Sequence, residues 1–67
     1  MNYYEIGQKI RKKRKALGLS QEELAEKVEI STTHMSHIET GNTKLSLAVF
    51  VSIAEALSCQ TDELLYD

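Results

Sequence analysis

Residues 20–39 read Ser-Gln-Glu-Glu-Leu-Ala-Glu-Lys-Val-Glu-Ile-Ser-Thr-Thr-His-Met-Ser-His-Ile-Glu, and this stretch decides the fold. Ser20, followed three residues later by Glu23, is a capping box, which predicts the start of a short helix. Ser31 is a second N-cap residue, and Met35 and Ile38 after it share one apolar side. The stretch therefore predicts two short amphipathic helices joined by a tight turn.

The segments on either side continue the helical pattern. Helix 1 is predicted from about Tyr3 to Leu17, and Gly18 suits the left-handed position that commonly ends a helix. Ser46 is predicted to cap a fourth helix, and Thr61 to start a short fifth one. No segment alternates strongly with period 2, so we expect an all-α fold of five helices. The residues predicted to form the apolar sides of helices 1 to 4 are Ile6, Ile10, Leu17, Leu24, Ala25, Val28, Met35, Ile38, Leu47, Phe50, Ile53, Ala54 and Leu57.

The length and the cysteine content narrow the class of protein. The chain has 67 residues, which suits a single domain spanning 1–67 and leaves no room for a second. The lone Cys59 has no partner for an internal disulfide, which favours a reducing compartment. No apolar run approaches the length of a membrane span, and no secretion leader is apparent. We therefore expect a cytoplasmic protein that does not contact membranes.

Charge is distributed unevenly along the chain. The formal net charge is −2, yet residues 1–21 hold six basic side chains and one acid. The remainder holds two basic side chains and nine acids. Such a dipolar chain can present a positive face to phosphate while it stays acidic as a whole. Charge alone fits a nucleic-acid surface and a solvated helix face equally well.

The paired short helices also carry a known motif. A first helix, a tight turn and a second helix form the helix-turn-helix unit, whose second helix lies in the major groove of DNA. The matching residues here are Ile10-Arg-x-x-Arg14, Gly18-Leu-Ser-Gln21, Leu24-Ala25, Val28, Ile30-Ser31, Met35-Ser-x-Ile-Glu39, Gly41 and Asp62-Glu-Leu-Leu65. Over about residues 5–65 the chain resembles the lambdoid phage repressor and Cro family of DNA-binding domains. The resemblance implies a five-helix, lambda-repressor-like domain that binds double-stranded DNA sequence-specifically, as a small transcriptional regulator and most simply a repressor.

The resemblance also implies residues that contact DNA. The base-reading positions on helix 3 are Thr32, Thr33, His37 and, as a weaker candidate, Ser36. A threonine offers a hydroxyl and a methyl group to base edges, and a histidine offers a donor. Helix 3 holds no Arg, Lys, Gln or Asn for a bidentate base contact, so DNA shape is expected to supply part of the specificity. The phosphate contacts are expected from Gln21, Arg11, Lys13, Arg14, Asn42 and Lys44.

Two further positions follow from the family pattern. Arg14 and Glu39 are expected to form a structural ion pair between helices 1 and 3. Glu29 stands at the turn between helices 2 and 3, where the family usually has glycine. A left-handed backbone costs a residue other than glycine about 1 kcal/mol. We therefore expect either another turn geometry or a Glu29 side chain that points away from the DNA.

One recognition helix covers only a few base pairs, so useful affinity implies a homodimer on two half-sites. The self-contact is predicted among apolar residues near the loop after helix 3 and the last helix, namely Leu45, Val49, Leu65 and Tyr66. The contrasting function is a protein-binding module, such as an antitoxin or adaptor. The acidic C-terminal two-thirds of the chain favours that alternative, and it is compatible with DNA binding.

Other classes of function find little support in the sequence. No nucleophile–base spacing and no glycine-rich phosphate cradle is present, so we expect neither an enzyme nor a bound cofactor. His34, His37 and Cys59 lack an evident fourth ligand, so no metal site is expected. Cys59 falls at an apolar position and is interpreted as a core thiol.

Overall fold

A computed structural model describes residues 2–66, and within that range it contains five α-helices and no strand. The helices are α1 at Tyr3–Ala16, α2 at Gln21–Lys27, α3 at Thr32–Thr40, α4 at Leu47–Ala56 and α5 at Thr61–Leu65. The all-α prediction and the order of the helices are thus confirmed. None of the described helices has the length and apolarity needed to cross a membrane.

Short polar side chains fix where the helices begin. In four helices the N-cap side chain accepts a hydrogen bond from a backbone N–H in the first turn; these residues are Asn2, Ser20, Ser31 and Ser46. The capping box is reciprocal, because Ser20 N donates to Glu23 Oε1 at 2.9 Å while Ser20 Oγ accepts from Glu23 N at 3.0 Å. The backbone hydrogen bond from Ser20 lowers the pKa of Glu23. These contacts satisfy N–H groups that have no partner inside the helix.

The first four helices end in the same left-handed turn. One residue within two positions of the helix end has a φ between 54° and 74°, and the four such residues are Gly18, Glu29, Gly41 and Ser58. The N–H of the next residue then bonds a carbonyl five residues earlier, as from Ile30 N to Ala25 O at 3.0 Å. This pattern is the Schellman motif, which supplies hydrogen bonds to backbone carbonyls that have no partner within the last turn of the helix. The left-handed position predicted for Gly18 is confirmed.

Glu29 adopts the conformation that favours glycine. Its φ is 59°, and its N–H donates to Glu26 O at 3.2 Å, so the turn between α2 and α3 has the geometry of the other three. Of the two alternatives expected for Glu29, a different turn geometry is therefore excluded. The Glu29 side chain is exposed, which lets the carboxylate stay hydrated. The backbone of a residue with a Cβ atom is strained in this region by about 1 kcal/mol.

The core lies between the inner sides of all five helices. Its buried apolar members are Ile6, Ile10, Leu24, Ala25, Met35, Ile38, Phe50, Ile53, Ala54, Leu57 and Leu64. Two residues predicted for the apolar sides are instead exposed, Leu17 at 54% and Leu47 at 76%. Leu17 follows the last residue of α1, where the turn takes the chain off the helical stripe. Leu47 lies in the first turn of α4, at the border of its buried side.

Helices α1 and α3 cross at a glycine that the sequence analysis did not single out. A Cβ atom on Gly7 would lie 2.6 Å from Glu39 O and even closer to Ile38 O. A Cβ atom on Gly41 would likewise lie 2.6 Å from Tyr4 Cα. Because the neighbouring atoms belong to the backbone, neither position has room for a side chain. Glycine therefore sets how closely the C-terminal end of α3 approaches α1.

Replacing Glu29 by glycine should stabilise the fold. We expect Glu29→Gly to raise the free energy of unfolding by about 0.5–1 kcal/mol, since the relief of left-handed strain exceeds the entropy that glycine adds to the unfolded chain. Urea unfolding followed by circular dichroism measures this change. Ser58→Gly is the matched control and should give a similar gain. Gly18→Ala should instead lower the free energy of unfolding. A Cβ atom at this position has no atom within 4 Å, so the left-handed backbone is the one source of strain. A loss of stability in Glu29→Gly would contradict the assignment.

Candidate nucleic-acid interface

A buried ion pair joins α1 to α3. Arg14 Nε donates to Glu39 Oε2 at 2.6 Å, and Arg14 Nη2 donates to Glu39 Oε1 at 3.0 Å. Arg14 is 6% exposed and Glu39 is 1% exposed. The two parallel hydrogen bonds make this a bidentate ion pair, which fixes the orientation of the carboxylate relative to the guanidinium. The arrangement fixes the rotation of α3 against α1.

Further hydrogen bonds extend this pair to neighbouring segments. Arg14 Nη1 donates to Leu19 O at 2.7 Å, in the turn that leads to α2. Gln21 Nε2, at the start of α2, donates to Glu39 Oε1 at 3.0 Å. Gln8 Nε2 donates to the backbone carbonyl of Glu39 at 3.0 Å. Glu39 is therefore held from α1 and from α2, and the two helices of the motif are locked at a fixed angle.

The burial of Arg14 bears on its two predicted roles. The residue was expected both to pair with Glu39 and to contact a phosphate. Its guanidinium is directed inward, onto the Glu39 carboxylate and the Leu19 carbonyl. These contacts give Arg14 the role of holding α3, while the phosphate contact stays a prediction.

The four predicted base-reading residues share the outer side of α3. Thr32, Thr33 and His37 are exposed and Ser36 is half-buried, whereas Met35 and Ile38 on the opposite side are buried. The outer side is thus polar and accessible over the length of the helix. Short hydroxyl side chains on it would let the helix backbone approach a groove closely. The side carries no formal charge of its own when His37 is neutral.

Hydrogen bonds place two of the predicted phosphate contacts, Gln21 and Asn42, beside the C-terminal half of α3. Gln21 is placed there by its bond to Glu39, and its Nε2 has a second hydrogen that this bond does not use. Asn42 is placed there by the bond from its N–H to His37 O at 2.9 Å. Asn42 and Lys44 are both exposed.

The other two basic candidates on α1, Arg11 and Lys13, lie on different sides of that helix. Arg11 follows Gly7 and Gln8 by one helical turn, so it shares the side of α1 that packs against α3. Lys13 instead forms an ion pair with Glu63 of α5, with Nζ 3.0 Å from Oε1. The backbone N–H of Gln60 and the Lys13 ammonium lower the pKa of Glu63. The structure therefore groups Arg11 with α3 and Lys13 with α5.

The remaining titratable residues do not assemble a metal centre. Among residues 2–66 no three His, Cys, Asp or Glu side chains lie close enough to hold a metal ion. Cys59 is half-buried against the core, where the loss of solvent raises the pKa of its thiol. A thiol in this environment has little thiolate character.

Known proteins share this arrangement of helices. The family model described as helix-turn-helix, HTH_3, matches residues 10–64. The restriction-modification controller protein C.AhdI from Aeromonas hydrophila is 34% identical over 92% of this chain and 94% of its own, with a TM-score of 0.89. The clp gene regulator ClgR from Corynebacterium glutamicum is 26% identical over 97% of this chain and 69% of its own, with a TM-score of 0.93.

A third similar structure was solved on DNA. The P22 c2 repressor protein, in complex with the synthetic operator 9T, is 30% identical over 88% of this chain and 89% of its own, with a TM-score of 0.83. No curated protein sequence matches the chain significantly.

Replacing one residue of the Arg14–Glu39 pair should lower the stability of the fold more than replacing both residues together. Arg14→Ala or Glu39→Ala should each lower the free energy of unfolding by about 3–5 kcal/mol, because one charge is left buried without its partner. The double replacement Arg14→Met with Glu39→Met should lose less than either single variant. Thermal and urea unfolding of the three variants test this.

The exposed pair between Lys13 and Glu63 provides the control for that experiment. Lys13→Ala and Glu63→Ala should change stability only slightly, since both side chains remain partly hydrated in the folded protein. If the double Met variant lost as much stability as the two single variants added together, the pair would not act as one buried unit.

Proposed function

The chain belongs to the helix-turn-helix family, and on that basis we propose that it is a small, sequence-specific transcriptional regulator, acting as a repressor. In this proposal it binds double-stranded DNA with α3 in the major groove. The observation that carries the proposal is the accessible polar side of α3, held rigidly from behind by the Arg14–Glu39 pair. A helix that is locked in this way keeps the same side chains directed at the bases in every complex.

Base recognition is assigned to the outer side of α3. Thr32 and Thr33 lie in its first turn, and in this motif the N-terminal residues of the recognition helix reach base edges. Each threonine can offer a hydroxyl to a base and a methyl group to thymine. His37 and Ser36 continue the same side one turn later. None of the four makes a bidentate contact, so sequence-dependent DNA shape supplies part of the discrimination.

Phosphate contacts are assigned to the residues that flank this side. Gln21, Asn42 and Lys44 are proposed to bind backbone phosphates on one side of α3, and Arg11 to reach the phosphates from α1. Gln21 also bonds Glu39, so its amide is already oriented before DNA arrives. Lys13 is paired with Glu63, on the side of α1 that faces α5, and we propose only a long-range electrostatic contribution from it.

The regulator is proposed to act as a homodimer. A single α3 spans only a few base pairs, and two copies on half-sites about one helical turn apart, ~34 Å, would double the recognised sequence. The solved complex of the similar P22 c2 repressor with an operator supports DNA as the ligand. Since this function requires access to DNA, and Cys59 is a free thiol, we propose the cytoplasm as the compartment.

Selection of bound duplexes from a random DNA pool tests this function directly. We expect the wild-type protein to enrich a palindrome whose half-sites are ten to eleven base pairs apart. Thr33→Ala should enrich a different base at one position of each half-site, because its contact carries sequence information. Gln21→Ala is the matched control and should enrich the same palindrome with lower affinity. If folded wild-type protein enriched nothing at low salt, a protein-binding module would be the better assignment.

Arg11 and Lys13 of α1 should differ in their effect on the salt dependence of binding. Arg11→Ala should reduce the slope of log affinity against log salt concentration by about one unit, because one phosphate contact is lost. Lys13→Ala removes the same formal charge and should leave the slope nearly unchanged. Fluorescence anisotropy of a labelled operator between low and physiological salt measures both slopes. Equal slopes for the two variants would contradict the proposed side of approach.

A further inference from the structure

Helix α1 carries three lysines on the side that faces away from α3. At ~100° per residue, Lys9 and Ala16 lie about half a turn around the helix from Gly7, the residue at which α1 crosses α3. Lys12 and Lys13 follow Lys9 by three and four residues, so the three ammonium groups share this side. Lys9, Lys12, Lys13 and Ala16 are referred to below as the lysine surface. Apart from a long-range contribution of Lys13, this surface has no part in the proposed binding of DNA.

Two shallow hollows border the lysine surface. One, of about 410 Å³, lies between α1 and α5 and is lined by Lys9, Lys12, Lys13, Ala16 and Glu63. The other, of about 230 Å³, is lined by Tyr4, Glu5, Gln8, Lys9 and Lys12. Lys9 and Lys12 line both hollows and so separate them. Because both hollows are open to solvent, they suit a segment of a macromolecule better than a small molecule, which binds in an enclosing cleft.

Donor groups for an added anion remain on the lysine surface. Lys12 is exposed and has no ion-pair partner among the described residues 2–66. Lys13 Nζ donates to Glu63 Oε1 at 3.0 Å, and this bond leaves two ammonium hydrogens unused. Glu63 Oε2 accepts from Gln60 N at 2.7 Å, so both oxygens of this carboxylate are engaged at the α5 end of the hollow. An added carboxylate at Lys12 therefore displaces no ion pair within the described chain.

We propose that the lysine surface binds an acidic segment of a partner protein, in which carboxylates alternate with apolar side chains. The sign of the partner follows from charge complementarity with the three ammonium groups. Exposed acids on α2, namely Glu22, Glu23 and Glu26, repel such a segment from that helix and so direct it to α1. The apolar side chains of the segment pack on the ring of Tyr4, which is 58% exposed, and on Ala16.

A peptide fits this surface better than a nucleic-acid backbone does. A duplex carries one negative charge about every 1.7 Å along its axis, so it would bring phosphates to Glu5 and Glu63 as well as to the lysines. A peptide can place its carboxylates at the lysines alone. Tyr4 and Ala16 also offer apolar contacts, one in each hollow, that a row of phosphates does not use.

The acidic segment and DNA can be bound at the same time, because the lysine surface and α3 lie on opposite sides of α1. The contact with the partner does not require that α3 reads DNA. Ion pairs between exposed side chains are individually weak and are screened by salt. The partner is therefore expected to bind reversibly and with a marked dependence on salt concentration.

Selection from a random peptide library, with the whole 67-residue chain as bait, tests the lysine surface. Wild type should enrich peptides in which acidic and apolar residues alternate. The double variant Lys9→Ala with Lys12→Ala should lose this enrichment while its circular dichroism stays that of wild type. Lys13 is left in place, because its replacement would also break the ion pair with Glu63. Enriched peptides without acidic residues, or equal enrichment by the double variant, would overturn the proposal.

Fluorescence anisotropy of an enriched, labelled peptide gives the size of the effect. Lys12→Ala should weaken binding about threefold, and Lys12→Glu about tenfold or more, because an exposed ion pair is first lost and then replaced by repulsion. Lys27→Glu is the matched control, since it makes the same change of charge at an exposed position on α2, and should leave the affinity nearly unchanged. If Lys27→Glu weakened binding as much as Lys12→Glu, net charge rather than the lysine surface would attract the peptide, and the proposal would fall.

Competition with DNA separates the two classes of ligand. An excess of random-sequence duplex should not displace the labelled peptide at physiological salt, where charges more than ~8 Å apart are largely screened. Displacement would make the lysine surface a nucleic-acid site and overturn the assignment of a protein partner.

The proposed function is judged by a separate measurement. Lys12→Glu should enrich the same palindrome as wild type in the duplex selection, because α3 and the residues that flank it are unchanged. Loss of peptide binding with the palindrome retained supports both proposals. A chain that binds the acidic peptide but enriches no duplex would overturn the DNA-reading function and leave the lysine surface standing.

Discussion

The structure depends on one buried carboxylate, that of Glu39. Both of its oxygens accept from Arg14, one also accepts from Gln21, and the carbonyl of the same residue accepts from Gln8. A buried charge is tolerated only when its hydrogen-bonding capacity is filled. Among the described residues no buried side-chain nitrogen or oxygen lacks a partner. This network therefore fixes orientation without leaving an uncompensated polar atom, and the angle between α1, α2 and α3 follows from it.

The same pair makes an acidic chain compatible with a polyanion. Glu39 is the one acid in the sequence of α3, and its ion pair with Arg14 keeps it away from the accessible side. The outer side then presents hydroxyl groups and one imidazole, with no formal negative charge. The basic residues before Gln21 lie on α1, and of these Arg11 shares the side that packs against α3. The net charge of the chain is consequently a poor guide to its ligand. The charge near α3 is more informative, because it determines whether a polyanion can approach that helix.

Sequence patterns predicted the helices well because caps and turns are local. Ser20, Ser31 and Ser46 each marked a helix start, and Gly18 marked a helix end. Exposure at helix borders was predicted less well, as Leu17 and Leu47 show, because it depends on which neighbour covers a position. Gly7 and Gln8 were missed for the same reason: their roles arise from contact with the far end of α3, which no spacing in α1 reveals. Family resemblance supplied the Arg14–Glu39 pairing, but only the structure showed its burial and the added hydrogen bonds from Gln8 and Gln21.

Helix α1 holds the recognition helix in place. Gly7, Gln8 and Arg14 contact α3 through close backbone approach and side-chain hydrogen bonds. These contacts are stiff compared with a loop. In the proposed homodimer the direction of each α3 would therefore be set by packing inside its own domain, so two rigid domains could match a half-site separation of fixed length.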